Sequence, residues 1–91
     1  MRSLFYQEII QHAAELAEMS VYELSQSRTT EACIARKCVV DVLLKLATEA
    51  DAARALGLSR QAINKLKNTP PPHHPTWLER YMRNELATYV K

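Results

Sequence analysis

Glycine is almost absent from this chain, since Gly57 is the only one among 91 residues. A Gly-rich phosphate-binding loop is therefore excluded, and with it the nucleotide-binding machinery built on such a loop. No apolar run reaches the ~20 residues that a membrane-spanning helix needs. The N-terminus also lacks the basic start and apolar core of a secretion signal. Cysteine is scarce too. Cys33 and Cys38 lie about 140° apart around a helix, so they cannot pair with each other or bind one metal ion together. We therefore expect both to be small buried thiols in a cytoplasmic protein.

The apolar residues recur at helical spacing throughout, and no strand pattern competes with them. They predict a first helix over residues 4–18 with Ser3 as its cap, and a capping box at Ser20 and Glu23 predicts a short second helix. A long, almost wholly apolar helix is predicted from about Thr30 to Ala47, at the centre of the domain. We therefore expect an all-α fold, a small helix-turn-helix bundle of about five to six helices.

The lone glycine lies between two helical patterns and predicts a sharp corner. Gly57 suits a left-handed helix cap, Ser59 suits the N-cap of the next helix, and Ile63 gives that helix an inward face. Ala53, four residues before the glycine, is small enough for the two helices to approach closely. This order predicts a helix-turn-helix over residues 49–67, within a DNA-binding domain of residues 1–69.

In a helix-turn-helix the second helix lies in the major groove of double-stranded DNA, and its outward side chains meet bases and phosphates. Arginine and amide side chains make bidentate contacts with base edges, whereas lysine suits the backbone. No acidic residue occurs from Ala52 to Leu78, which favours a surface that faces phosphates. The predicted base-contacting residues are Arg60, Gln61 and Asn64, with Ser59 beside them and Lys65 and Lys67 on the backbone.

The segment before the motif adds a resemblance. Residues 19–28 (MSVYELSQSR), then Ala35-Arg36-Lys37 and the apolar helix to Leu46, resemble the duplex-binding C-terminal domain of the DnaA replication initiator, which shares its fold with the Trp repressor. The resemblance covers roughly residues 19–67. It implies that Arg28 enters the minor groove and that Arg36 lies near the DNA backbone. The start of the recognition helix departs from the initiator's Asp-His-Ser/Thr-Thr type of sequence, so the DNA site should differ from the initiator's.

Beyond the motif, three successive prolines predict a stiff connector over residues 70–75. A second capping box at Thr76 and Glu79 predicts an amphipathic helix over residues 76–91. Its aromatic face either joins two copies into a homodimer or folds back onto the first helix. The residues of this dimer or partner surface are Trp77, Leu78, Tyr81 and Tyr89.

The remaining polar residues suggest neither a metal site nor catalysis. His73 and His74 are adjacent in an extended segment and point in opposite directions, and His12 is expected at the surface. We expect no metal, no cofactor and no enzymatic activity. The predicted function is sequence-specific DNA binding by a small transcriptional regulator or an accessory protein of a phage or mobile element. The rival interpretation is a protein-binding module in which the helix-turn-helix is only a scaffold.

Overall fold

Six α-helices and a short 3-10 helix make up the part of the chain that the structure, a computed structural model, describes: residues 2–69 and 76–90. The predicted all-α bundle of five to six helices is confirmed over these residues. The predicted connector over residues 70–75, which includes His73 and His74, lies outside them. The elements are α1 (Arg2–Leu16), α2 (Val21–Gln26), α3 (Thr30–Leu46), α4 (Glu49–Leu56), α5 (Arg60–Asn68), α6 (Trp77–Leu86) and the 3-10 helix (Ala87–Val90).

Five of these helices begin after a serine or threonine whose side chain accepts a hydrogen bond from the amide three residues later. Such an N-cap satisfies one of the backbone donors that a helix leaves unpaired at its start. The capping box at Ser20 is complete, since the Glu23 carboxylate also accepts from the Ser20 amide at 3.1 Å. The caps of α2 to α6 are Ser20, Thr29, Thr48, Ser59 and Thr76.

The ends of α1 differ from the prediction. The helix begins at Arg2, so Ser3 lies inside it and is not its cap, and it stops at Leu16. Glu18 adopts a left-handed φ of 56°, and the Met19 amide donates to the Ala14 carbonyl at 2.9 Å. This is the closure that usually places glycine in the left-handed position, and a glutamate there gives no sequence signal for it.

The long helix α3 occupies the centre of the fold, as predicted. It contacts all five other helices and the 3-10 helix. A helix that is covered on nearly every side needs apolar residues around most of its circumference. Its buried apolar side chains are Ala32, Ala35, Cys38, Val39, Val40, Val42 and Leu43.

The C-terminal helix α6 folds back onto the domain rather than projecting from it. Met82 and Leu86 are fully buried, and α6 packs against α3 and α1. Arg83 adds an ion pair to Asp41 of α3, with Nη1 2.9 Å from Oδ2. The helix thus folds back within the chain, as one of the two predicted arrangements has it, while Trp77 remains 69% exposed.

Several single side chains lie elsewhere than expected. Cys38 is buried but Cys33 is exposed, so the prediction of two buried cysteines is half wrong. His12 is half-buried, with Nδ1 2.8 Å from the hydroxyl of Tyr89, and is not a simple surface residue. No helix among the described residues is long and apolar enough to cross a membrane.

Candidate nucleic-acid interface

The corner between α4 and α5 has the geometry that its sequence predicts. Gly57 has φ 70° and ψ 31°, in the left-handed region. The Gly57 amide donates to the Arg54 carbonyl at 3.3 Å, and the Leu58 amide donates to the Ala53 carbonyl at 2.9 Å. These two bonds satisfy the last carbonyls of α4 and reverse the chain. Ser59 then opens α5 by accepting from the Ala62 amide at 3.1 Å.

The inward face of α5 is short and well buried. Ile63 is fully buried, and Ala53 and Leu56 of α4 are almost so. The helix packs against α4 and α3. Because Ala53 is small and Ile63 is branched, the two helices approach closely around the turn and resist sliding. This packing fixes which side of α5 faces solvent.

The outward face of α5 is polar and carries no carboxylate. The Asn68 amide nitrogen donates to the Asn64 side-chain oxygen at 3.0 Å, which orients Asn64 one turn before it. Arg60 and Lys65 form no ion pair with any residue that the structure describes. The structure therefore brings the predicted contact residues of this helix together on one exposed surface. Its exposed members are Ser59, Arg60, Gln61, Asn64, Lys65, Lys67 and Asn68.

Lys67 on this surface and Arg54 of α4 are each paired with an acid of α4, which the sequence does not indicate. Lys67 Nζ lies 3.0 Å from the Glu49 carboxylate, and Arg54 lies 2.6 Å from Asp51. The hydrogen bond from Lys67 and its charge lower the pKa of Glu49, with smaller contributions from Asn64 and Arg60. A carboxylate thus borders the outward face of α5, just before the acid-free stretch of the sequence.

The C-terminal end of α5 is anchored by a lysine of α3. Lys37 Nζ donates to the Leu66 carbonyl at 2.7 Å and to Asp41 Oδ1 at 3.1 Å. A cation at this end of a helix satisfies free carbonyls and complements the helix dipole. Asp41 also binds Arg83, so a chain of charged contacts connects α6 through α3 to α5.

Arg36, which the resemblance places near the DNA backbone, has a supporting position in the structure. Its Nε donates to the Leu24 carbonyl at 2.9 Å, and a second nitrogen donates to the Ser27 carbonyl. These bonds fix the loop between α2 and α3, from which Arg28 extends as an exposed side chain. Since Arg36 and Lys37 are consecutive, the same turn of α3 holds both this loop and the end of α5.

Comparison with known proteins adds no family to this description. No protein-family model, curated protein or solved structure matches the chain. The interface is therefore interpreted from its own residues.

Proposed function

We propose that this protein binds double-stranded DNA in a sequence-specific manner, with α5 lying in the major groove. The observation that carries the proposal is the outward face of α5, where arginine, amide and lysine side chains are exposed together without a carboxylate on the helix. Arg60, Gln61 and Asn64 supply the base contacts, because such side chains pair with purine edges in the major groove. Lys65 and Lys67 contact phosphates.

The loop between α2 and α3 supplies a second contact in this proposal. Arg28 is exposed beside a loop that Arg36 holds rigid, and an arginine on a fixed loop suits a narrow, electronegative minor groove. Arg36 itself is a positioning residue. The effect of Arg36 on DNA binding should therefore pass through Arg28. The resemblance to the DnaA C-terminal domain and the Trp repressor likewise implies that Arg28 enters the minor groove.

A single recognition helix contacts few bases. Useful specificity therefore requires two copies, either preformed or assembled on DNA, with half-sites about 34 Å apart or a multiple of this distance. Because α6 buries Met82 and Leu86 within the chain, a homodimer would have to use surfaces that remain exposed. The corresponding biological role is that of a small transcriptional regulator or of an accessory protein of a phage or mobile element.

Selection from a random duplex pool tests the proposal. The wild-type protein should enrich a defined motif, and the double variant Arg60→Ala with Asn64→Ala should lose that enrichment while it keeps its helical circular dichroism spectrum. Arg80→Ala removes another exposed helical arginine, on α6, and serves as the matched control, which should select the wild-type motif. A double variant that selects the same motif as the wild type would refute the assignment of α5.

The second candidate function is protein binding with the helix-turn-helix as scaffold. One observation favours it, namely the aromatic side chain of Trp77 at 69% exposure on a helix whose Met82 and Leu86 are fully buried. If the protein retains no duplex from the random pool even at low salt, that result would favour this alternative. The surface around Trp77 can also act alongside DNA binding, because it lies on a different helix from α5.

A further inference from the structure

A groove opens on the side of the domain formed by α1, α6 and the first turn of α3. It has a volume of about 570 Å³ and is open to solvent. Leu16 and Ala17 at the end of α1 and Leu78 of α6 provide its apolar lining. A concave apolar surface of this size accommodates one or two side chains of a partner.

One wall of the groove is a pair of stacked aromatic rings. Trp77 and Tyr81 lie one turn apart on α6, with ring centroids 4.9 Å apart and ring planes 8° from parallel. Trp77 is 69% exposed, whereas Tyr81 is half-buried. A tryptophan ring left this exposed on a small domain is unusual and typical of binding surfaces. The stacking against Tyr81 restricts rotation of the Trp77 ring before any ligand binds.

The rim of the groove is acidic. Glu15, Glu18 and Glu31 line the groove together with His12, and no lysine or arginine does so among the described residues. None of these glutamates forms an ion pair within the part of the chain that the structure describes. Three uncompensated carboxylates around a low-dielectric wall concentrate a negative potential in the groove. That potential repels nucleic acid and attracts cations.

We infer that this groove binds a segment of a partner protein that presents an arginine beside an apolar side chain. The guanidinium plane would stack on Trp77 and donate to the rim glutamates, while the apolar neighbour would pack on Leu16 and Leu78. Arginine fits better than lysine because its planar fork stacks on rings and pairs bidentately with carboxylates. The inference goes beyond DNA binding and stands independently of it, since no residue of α5 lines the groove.

The test uses a phage-displayed library of random twelve-residue peptides, selected on the full chain. Enriched peptides are then synthesised and titrated against the protein. Trp77 is the only tryptophan, so a bound peptide should shift its fluorescence to shorter wavelength. We expect enriched peptides to contain arginine next to an apolar residue, and citrulline in place of that arginine to weaken binding roughly tenfold.

Variants at exposed positions separate binding from folding. Trp77→Ala should abolish peptide binding, measured by calorimetry because the fluorophore is lost, and Glu15→Gln with Glu18→Gln should weaken it and reduce its salt dependence. The matched control is Tyr22→Ala, which removes an aromatic residue that is 75% exposed on α2 and should bind normally. The double variant Arg60→Ala with Asn64→Ala should also bind the peptide normally, whatever it does to DNA.

Three results would overturn the inference. The first is enrichment of no peptide that depends on Trp77. The second is enrichment of acidic or uncharged peptides, whose binding would survive the glutamine substitutions. The third is concentration-dependent dimerisation of the protein alone in sedimentation equilibrium that Trp77→Ala abolishes, which would assign the groove to a second copy of the chain.

Discussion

Replacing Gly57 with alanine isolates the backbone requirement of the helix-turn-helix. The glycine has φ +70°, and a Cβ added to it would meet nothing within 4 Å. The substitution therefore introduces no steric clash with neighbouring residues. Its cost should come from holding an L-residue in the left-handed conformation.

The size of this cost follows from two opposing effects. An L-residue in the left-handed region costs roughly 1–2 kcal/mol, while alanine restricts the unfolded chain and returns about 0.4–1 kcal/mol. The expected net loss in the free energy of unfolding is about 1 kcal/mol. For a chain of 91 residues, that loss lowers Tm by about 4–8 °C.

Urea and thermal unfolding followed by circular dichroism would measure the change. Gly57→Asn is the matched comparison and should lose less stability, because asparagine tolerates left-handed φ better than alanine does. A loss above about 3 kcal/mol for Gly57→Ala would contradict the open space around the turn. An unchanged or higher stability would contradict the left-handed conformation itself.

Four further predictions concern the core, the acidic border of the outward face of α5 and the thiols. Ile63→Ala, at a fully buried position, should cost about 2–5 kcal/mol in urea unfolding, and a cost below ~1 kcal/mol would contradict the packing of α5. Glu49→Gln should tighten duplex binding, because it frees Lys67 for a phosphate; weaker binding would show that the ion pair positions α5 productively. The same substitution should also reduce the loss of stability as pH falls below 4.5, because the lowered pKa of Glu49 stabilises the folded state only while the carboxylate is ionised. Burial raises the pKa of Cys38 to about 11, so a thiol reagent at pH 8 should modify exposed Cys33 quickly and Cys38 only after unfolding; equal rates would contradict the burial of Cys38.

The helix boundaries were largely predictable because they depend on residues close in sequence. The capping box at Ser20, the left-handed Gly57 and the Ser59 cap each act within a few positions, and all three have the predicted geometry. The end of α1 was not predictable in this way. Glu18 adopts the left-handed conformation that is usually occupied by a glycine. Because no glycine marks this position, the sequence does not show that the helix ends there.

Side-chain partners were harder to predict because they depend on how the helices are arranged. Lys67 is paired with Glu49, which lies 18 residues away in the sequence, and Lys37 donates to the Leu66 carbonyl, 29 residues away. Charge along the sequence suggested an acid-free surface, yet folding brings a carboxylate of α4 to its border. Similarly, nothing in the sequence indicates that Arg36 donates to the carbonyls of Leu24 in α2 and of Ser27 just after that helix.

The position of α6 required the packed structure. The sequence supplied an amphipathic helix but no indication of whether its apolar face meets the same chain or another. In the structure Met82 and Leu86 are buried within the chain, and α6 packs against α3 and α1. The aromatic residues of the predicted partner surface have different surroundings in the structure. Trp77 is exposed beside the acidic rim of the groove, whereas the Tyr89 hydroxyl is hydrogen-bonded to His12.

The salt dependence of duplex binding tests the central claim most directly. With the four cations Arg28, Arg60, Lys65 and Lys67 as the available phosphate or base contacts, a plot of log affinity against log salt should have a slope of about −2 to −4. Lys65→Ala should make the slope about one unit shallower, because this exposed lysine is assigned to a phosphate. A slope near zero, or one that Lys65→Ala leaves unchanged, would contradict recognition of DNA by α5.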